Sequence, residues 1–154
     1  MLKPSHPTST TEVLLGKPVT WPKVTEVNIM THVASSGAVV VFEDDHVIAF
    51  EENDDEREGI VQPGERRITI APKKHVPSIM DIDLSDHNVA IHLLYAIQQV
   101  AYKLQLYKTG FEVRADVLPP YQTRPHIRLK IRTGTPKKSH ASAPGAAPKP
   151  TAAP

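Results

Sequence analysis

One stretch of this chain restricts its topology more than any other. Val89, Leu93, Ile97, Val100 and Leu104 recur at spacings of three and four, so they fall on one side of a helix. The spacing predicts a long amphipathic helix over about 86–106, with Ser85 as its N-cap and Gly110 as its stop. A helix with a single apolar stripe has to bury it against another surface. The segments on either side of it read as strands, which supply that surface.

Residues 39–43 are apolar and β-branched, and 46–51 resume the pattern after Asp44-Asp45. The acidic pair reads as turn chemistry in a hairpin, not as a catalytic carboxylate pair. Residues 67–71 form a strand with Ile68 and Ile70 on one face. Beyond the helix, Phe111, Val113 and Ala115 alternate with Glu112, Arg114 and Asp116, as in a half-buried strand. A loop with Pro119, Pro120 and Tyr121 leads to a last strand over 125–132. The fold class is therefore α+β: an antiparallel sheet of about five strands with one long helix packed on it.

The last strand carries the chemistry. Ile127, Leu129 and Ile131 point to one side; His126, Arg128, Lys130 and Arg132 point to the other. Side chains on one strand face repeat every ~6.6–6.8 Å, so cationic groups stand in a row. Such a row repels itself unless an anion sits near it. A phosphate suits it, because Arg offers a planar fork and Lys a point charge. The other reading is an exposed strand face charged to discourage aggregation.

Composition bounds the alternatives. The 154 residues, 40% of them hydrophobic, suffice for one domain with a real core. The formal net charge is +1, which gives no global case for nucleic-acid or membrane binding. There are no cysteines, hence no disulfide, cysteine nucleophile or cysteine-ligated zinc. No apolar run approaches the ~20 residues needed to span a bilayer, and the polar, proline-bearing start does not read as a signal peptide. The expectation is a soluble, cytoplasmic protein. Residues 1–29 read as an N-terminal arm, ordered in part at most; 30–134 as the folded domain; 135–154 as a disordered Pro/Ala-rich tail. The acidic stretch 51–64 reads as a long solvated loop. His87 and His92 lie five apart and do not share a helix face as an i, i+4 metal pair does. No metal constellation is expected, and His75 reads as structural.

The runs Val41-Phe42-Glu43-Asp44-Asp45-His46-Val47-Ile48-Ala49-Phe50-Glu51-Glu52 and Ile68-Thr69-Ile70-Ala71-Pro72-Lys73-Lys74-His75 resemble the first hairpin and the following strand of histidine triad (HIT) proteins. Gln122-Thr123-Arg124-Pro125-His126-Ile127-Arg128-Leu129-Lys130-Ile131 resembles the approach to the triad strand and the strand itself. There the family has His-φ-His-φ-His, with φ apolar and a Gln-Ser/Thr pair just upstream. The match covers about two-thirds of the chain in the correct order.

In that family the middle histidine attacks the α-phosphate of a nucleotide. Here Arg128 holds the middle position and Lys130 the third; His126 alone survives. Arg is always protonated and has no lone pair for attack, so Arg128 forms no covalent intermediate but can still hold a phosphate. The resemblance further implies that Glu52 accepts from ribose hydroxyls, that Thr123 donates to a phosphate or leaving group, that Gln122 lines the site, and that Phe50 lines a base pocket. The family's phosphate-binding Asn has no equivalent; Ala115 or Asp116 occupies its region, and an Asp there repels a phosphate. The expectation is a protein that binds a nucleotide or another phosphorylated small molecule, without nucleotidyl-histidine chemistry and without a cofactor. The alternatives are a divergent nucleotide hydrolase or transferase with His126 as its catalytic group, and a non-catalytic interaction module. The family's two-fold dimers, formed through the long helix and an adjoining strand, imply a homodimer.

Overall fold

A computed structural model describes residues 19–21, 28–52 and 63–134. The expectations placed on residues 53–62, on the 135–154 tail and on nearly all of the N-terminal arm lie outside the described residues.

Five antiparallel strands form one sheet: β1 (Val39–Glu43), β2 (Val47–Glu51), β3 (Arg67–Pro72), β4 (Glu112–Ala115) and β5 (Leu129–Arg132), in the order β1-β2-β3-β5-β4. The hairpin forms where the acidic pair predicts it. Asp44 Oδ1 accepts from the backbone N–H of His46 at 2.8 Å and of Val47 at 2.9 Å, which closes the turn. Irregular pairing between Val40 and Phe42 marks a bulge in β1, and Lys103 Nζ donates to the Val41 carbonyl at 2.6 Å.

Among the described residues, two α-helices flank the sheet. The first, α1 (Ile29–Ser36), was not expected. Asn28 caps it by accepting from the Met30 N–H at 2.8 Å. Gly37 ends it with φ +69, a conformation costly for residues with a Cβ. The second, α2 (His87–Lys103), is the predicted long helix. It buries Val89, Leu93, Ala96, Val100 and Ala101 against Val47, Ala49, Ile68, Ile70 and Ile131, with Ile97 and Leu104 packed at the margin. Each large aliphatic group buried here stabilises the fold by about 1.5–3 kcal/mol. No helix among the described residues is long and apolar enough to cross a membrane.

Three local expectations need correction. Ser85 is not the cap. Asp83 caps a 3-10 turn, Leu84–Asp86, in a reciprocal box with Asp86, and α2 follows from His87. A carboxylate two residues earlier takes the Ser85 N–H and the Ser85 hydroxyl itself, so the hydroxyl is not left to cap. Secondly, α2 stops at Lys103, before left-handed Gln105, and Gly110 instead ends the 3-10 turn that follows. Thirdly, β4 is exposed on both faces, not half-buried. It is an edge strand, whereas α2 lies over β1, β2 and β3; only Phe111, just before it, packs against the core.

Candidate functional site

Strand parity separates the two faces of the sheet. Ile127 and Ile131 are buried on the α2 side, with Leu129 packed beside them. On the other side, the registers align Phe50, Thr69, Lys130 and Arg114 across β2, β3, β5 and β4. The basic row thus shares its face with α1. Ile29 and Val33 of α1 cover Ile48, Phe50 and Ala71, and the part of the face over β5 forms a hollow. It holds about 500 Å³ of space, open solvent included.

The hollow brings together six of the seven residues singled out from sequence: Glu52, Gln122, Thr123, His126, Arg128 and Lys130. Phe50 does not join them. It is wholly buried beneath α1, with the His32 ring against its edge at 6.3 Å. The expectation that Phe50 lines a base pocket is corrected by that cover: α1, invisible to the sequence reading, occupies the space. Asp116, Tyr121 and Arg124 also line the hollow.

Each lining group is positioned by its strand or loop. Glu52 follows β2; its backbone N–H donates to the Arg67 carbonyl at 3.0 Å, and its buried carboxylate accepts from the Thr69 hydroxyl. Gln122 is buried, and its amide is committed to the scaffold. Nε2 donates to the carbonyls of Pro77 at 2.6 Å and Arg124 at 2.8 Å, while Oε1 accepts from the Leu118 N–H at 3.0 Å. It fixes the loop that carries Thr123 and His126. Tyr121 stands at the mouth, 73% exposed.

His126 is buried with its Nε2–H donating to the Pro72 carbonyl at 3.1 Å. A carbonyl only accepts, so Nε2 carries the proton and any lone pair lies on Nδ1. Burial lowers the imidazole's pKa to about 4, and the nearby His75 and Arg128 push it the same way, against the Pro72 bond. The ring is therefore neutral at pH 7. His75 lies alongside, with ring centroids 5.4 Å apart, and donates to the Pro125 carbonyl at 2.7 Å. His75 thus anchors the approach to β5.

Next to the hollow, buried Glu65 holds two guanidiniums. Its Oε1 lies 2.9 Å from Arg67 Nε and 2.5 Å from Arg132 Nε. Arg132, part of the basic row in sequence, is thereby tied to a carboxylate and does not line the hollow. The Pro-Lys-Lys-His segment is likewise paired: Lys73 with Glu43 at 2.7 Å and Lys74 with Asp86 at 2.6 Å.

No protein-family profile and no curated protein matches the chain. Solved structures do. A histidine triad protein from Clostridium difficile superposes with a TM-score of 0.58 at 26% identity, covering 74% of this chain and 96% of that one. A HIT family hydrolase from Legionella pneumophila gives 0.54 at 26%, covering 64% and 83%. A HIT family hydrolase from Clostridium thermocellum gives 0.59 at 19%, covering 74% and 96%. The element order, the sheet and these superpositions agree: the chain has the fold of the histidine triad proteins.

Proposed function

We propose that the hollow binds a nucleotide or another phosphorylated small molecule and does not perform nucleotidyl-histidine chemistry. The observation that carries this reading is the convergence of Arg128, Lys130, Thr123 and Glu52, drawn from the end of β2, from β5 and from the segment before β5, on one hollow. Arg128 and Lys130 stabilise a phosphoryl group by charge and hydrogen bonds; Glu52 accepts from hydroxyls. Attack on phosphorus needs an accessible lone pair, and Arg128 has none. His126 has its Nε2 engaged by Pro72 and a depressed basicity, which disfavours the alternative of a divergent hydrolase or transferase built on it. Calorimetry at low salt tests the reading. Adenosine 5′-monophosphate should bind with millimolar or tighter affinity, and Arg128→Ala should weaken it at least about tenfold. No heat of binding, or equal binding by the variant, rejects it.

A second feature supports a homodimer. The outer face of α2 exposes Ile91, Leu94, Tyr95 and Tyr102, and a shallow groove joins Tyr102 and Gln99 to Val40 of β1. Apolar groups at helical spacing on an outer face suit burial against a second copy. Sedimentation should give twice the chain mass for the native protein and a monomer for Leu94→Asp. A native monomer across the micromolar range would sink the dimer.

A further inference from the structure

Spacing along α2 leaves His92 without a ligand partner on its own helix; the fold brings one from the sheet. His46, just before β2, stands against His92 with ring centroids 4.3 Å apart and planes inclined at 45°. The pair lies where the β1–β2 turn meets α2, the helix on the face of the sheet away from the hollow. Both rings are suited to act as ligands. His92 Nδ1 lies 2.6 Å from Asp44 Oδ2. A carboxylate only accepts, so Nδ1 carries the proton and the lone pair of the neutral ring is on Nε2. A carboxylate behind a histidine is the arrangement that orients metal-binding imidazoles and raises their basicity. Asp44 is itself fixed, since its other oxygen takes the N–H groups of His46 and Val47. Tyr95 stands edge-on to His92 at 6.5 Å and to Phe42 at 6.1 Å, which braces the imidazole. Among the described residues the ring nitrogens of His46 make no hydrogen bond, so that ring can turn toward an ion without breaking one.

The separation of the rings selects the kind of ion. A metal about 2.0–2.1 Å from each ring nitrogen stands ~3.2 Å from each ring centroid, so two imidazoles at a right angle have centroids ~4.5 Å apart and two at the tetrahedral angle ~5.2 Å. The 4.3 Å found here matches the right angle, that of neighbouring positions in square-planar or tetragonal coordination, which copper(II) and nickel(II) favour. Among the described residues no group of three or more His, Asp or Glu side chains is placed to hold a metal, so solvent completes the coordination. The turn around the pair is anionic. Glu43, Asp44 and Asp45 carry three negative charges, and Lys73, 2.7 Å from Glu43, offsets one. With the His92 side chain 32% exposed, an ion reaches the pair from solvent.

We propose that His46 and His92 together bind one divalent copper or nickel ion, that Asp44 positions His92 for it, and that the ion ties the β1–β2 turn to α2. An ion that binds the folded chain and not the unfolded one raises its stability by mass action. The ion site shares no residue with the hollow, and its failure would leave the ligand-binding reading untouched.

The test is a calorimetric titration of the untagged chain with nickel(II) chloride at about pH 7.5, where an ordinary imidazole is neutral. Copper(II) chloride followed by electron paramagnetic resonance is its second arm. One ion per chain should bind, and the copper spectrum should show coupling to nitrogen. Asp44→Asn should weaken nickel binding about tenfold or more. Its oxygen still accepts from the turn, but its amide donates to His92 Nδ1 and moves the ring proton to Nε2. His46→Ala and His92→Ala each remove a ligand and should cost at least as much. His92→Phe, which keeps the ring packing, should lose the site too. His87→Ala, earlier on the same helix, should bind as the native chain does; circular dichroism checks that every variant folds. Nickel should raise the melting temperature of the native chain and of His87→Ala, and not that of the variants lacking His46 or His92. No heat of binding, or binding retained by both His46→Ala and His92→Ala, overturns the site. Equal affinity in Asp44→Asn and the native chain overturns the positioning role of Asp44.

Discussion

Between pH 6.5 and about 4 the folded chain should lose on the order of 3 kcal/mol through His126 alone. Burial first, then His75 and Arg128, holds the folded imidazole's pKa down to about 4, against an ordinary value of 6.5. The sign follows from proton counting. In that window the unfolded imidazole takes up a proton and the folded one does not, so acid favours the unfolded state. The contribution is complete above 6.5, drains as pH falls, and is gone near 4. The lowered carboxyls act elsewhere. Burial pushes Asp44 up, but hydrogen bonds from His92 and from the backbone of His46 and Val47 outweigh it. Bonds to Ser85 lower Asp83, and the Lys74 bond lowers Asp86. These three lose their contributions only below the ordinary carboxyl value of 3.8. Urea unfolding at pH 7 and pH 4.5 separates the effects. His126→Gln keeps a donor for the Pro72 carbonyl and removes the titration, so its stability should fall by about 2 kcal/mol less than the native chain's. Parallel losses would show that His126 is solvated and ordinary.

The second large effect is expected at Glu65. Arg67 and Arg132 are cross-strand partners on β3 and β5, and like charges in that position destabilise a sheet. Glu65, buried beside them, compensates both. Glu65→Ala should cost roughly 2–4 kcal/mol, below the 3–5 typical of a fully buried pair because the two arginines are partly hydrated. Glu65→Gln should lose less, since its amide oxygen still accepts. Guanidinium chloride screens charge, so urea is the denaturant for this comparison. A loss under about 1 kcal/mol for Glu65→Ala would mean that water compensates the arginines instead.

Periodicity made part of this architecture legible. The stripe on α2 and the two-sided alternation of β5 follow from spacing alone, because each has one face on the core and one away from it; the hairpin follows from turn chemistry at Asp44. The helix α1 escaped because its eight residues hold too few turns for a pattern to repeat. Its signals were present in Asn28 as cap, Ile29 and Val33 on one side, and Gly37 as stop. Missing α1 also misplaced Phe50. In β2, Val47 to Phe50 are all buried, so alternation says nothing about which side is covered or by what. The exposure of β4 was hidden for the opposite reason: its alternation is real, yet edge position leaves nothing to pack on the apolar side.

The site was legible through its strand and less so through its surroundings. Arg128 and Lys130 declare themselves by parity, and resemblance brought in Glu52, Gln122 and Thr123 from distant segments. The lining roles of Tyr121 and Arg124 depend on the path of the loop before β5, which spacing does not specify. The commitment of Gln122 to four backbone groups is equally invisible in sequence, because the amide's partners come from Pro77, Leu118, Arg124 and His126.

The ligand-binding account stands on a phosphoryl group seated against β5. A crystal of the native chain soaked with adenosine 5′-monophosphate addresses it most directly. The account predicts density for the phosphate within ~3 Å of the Arg128 guanidinium and the Lys130 ammonium, unattached to His126, with the ribose toward Glu52. An empty hollow at saturating ligand, or a ligand bound elsewhere while Arg128 and Lys130 face another copy of the chain, would contradict it.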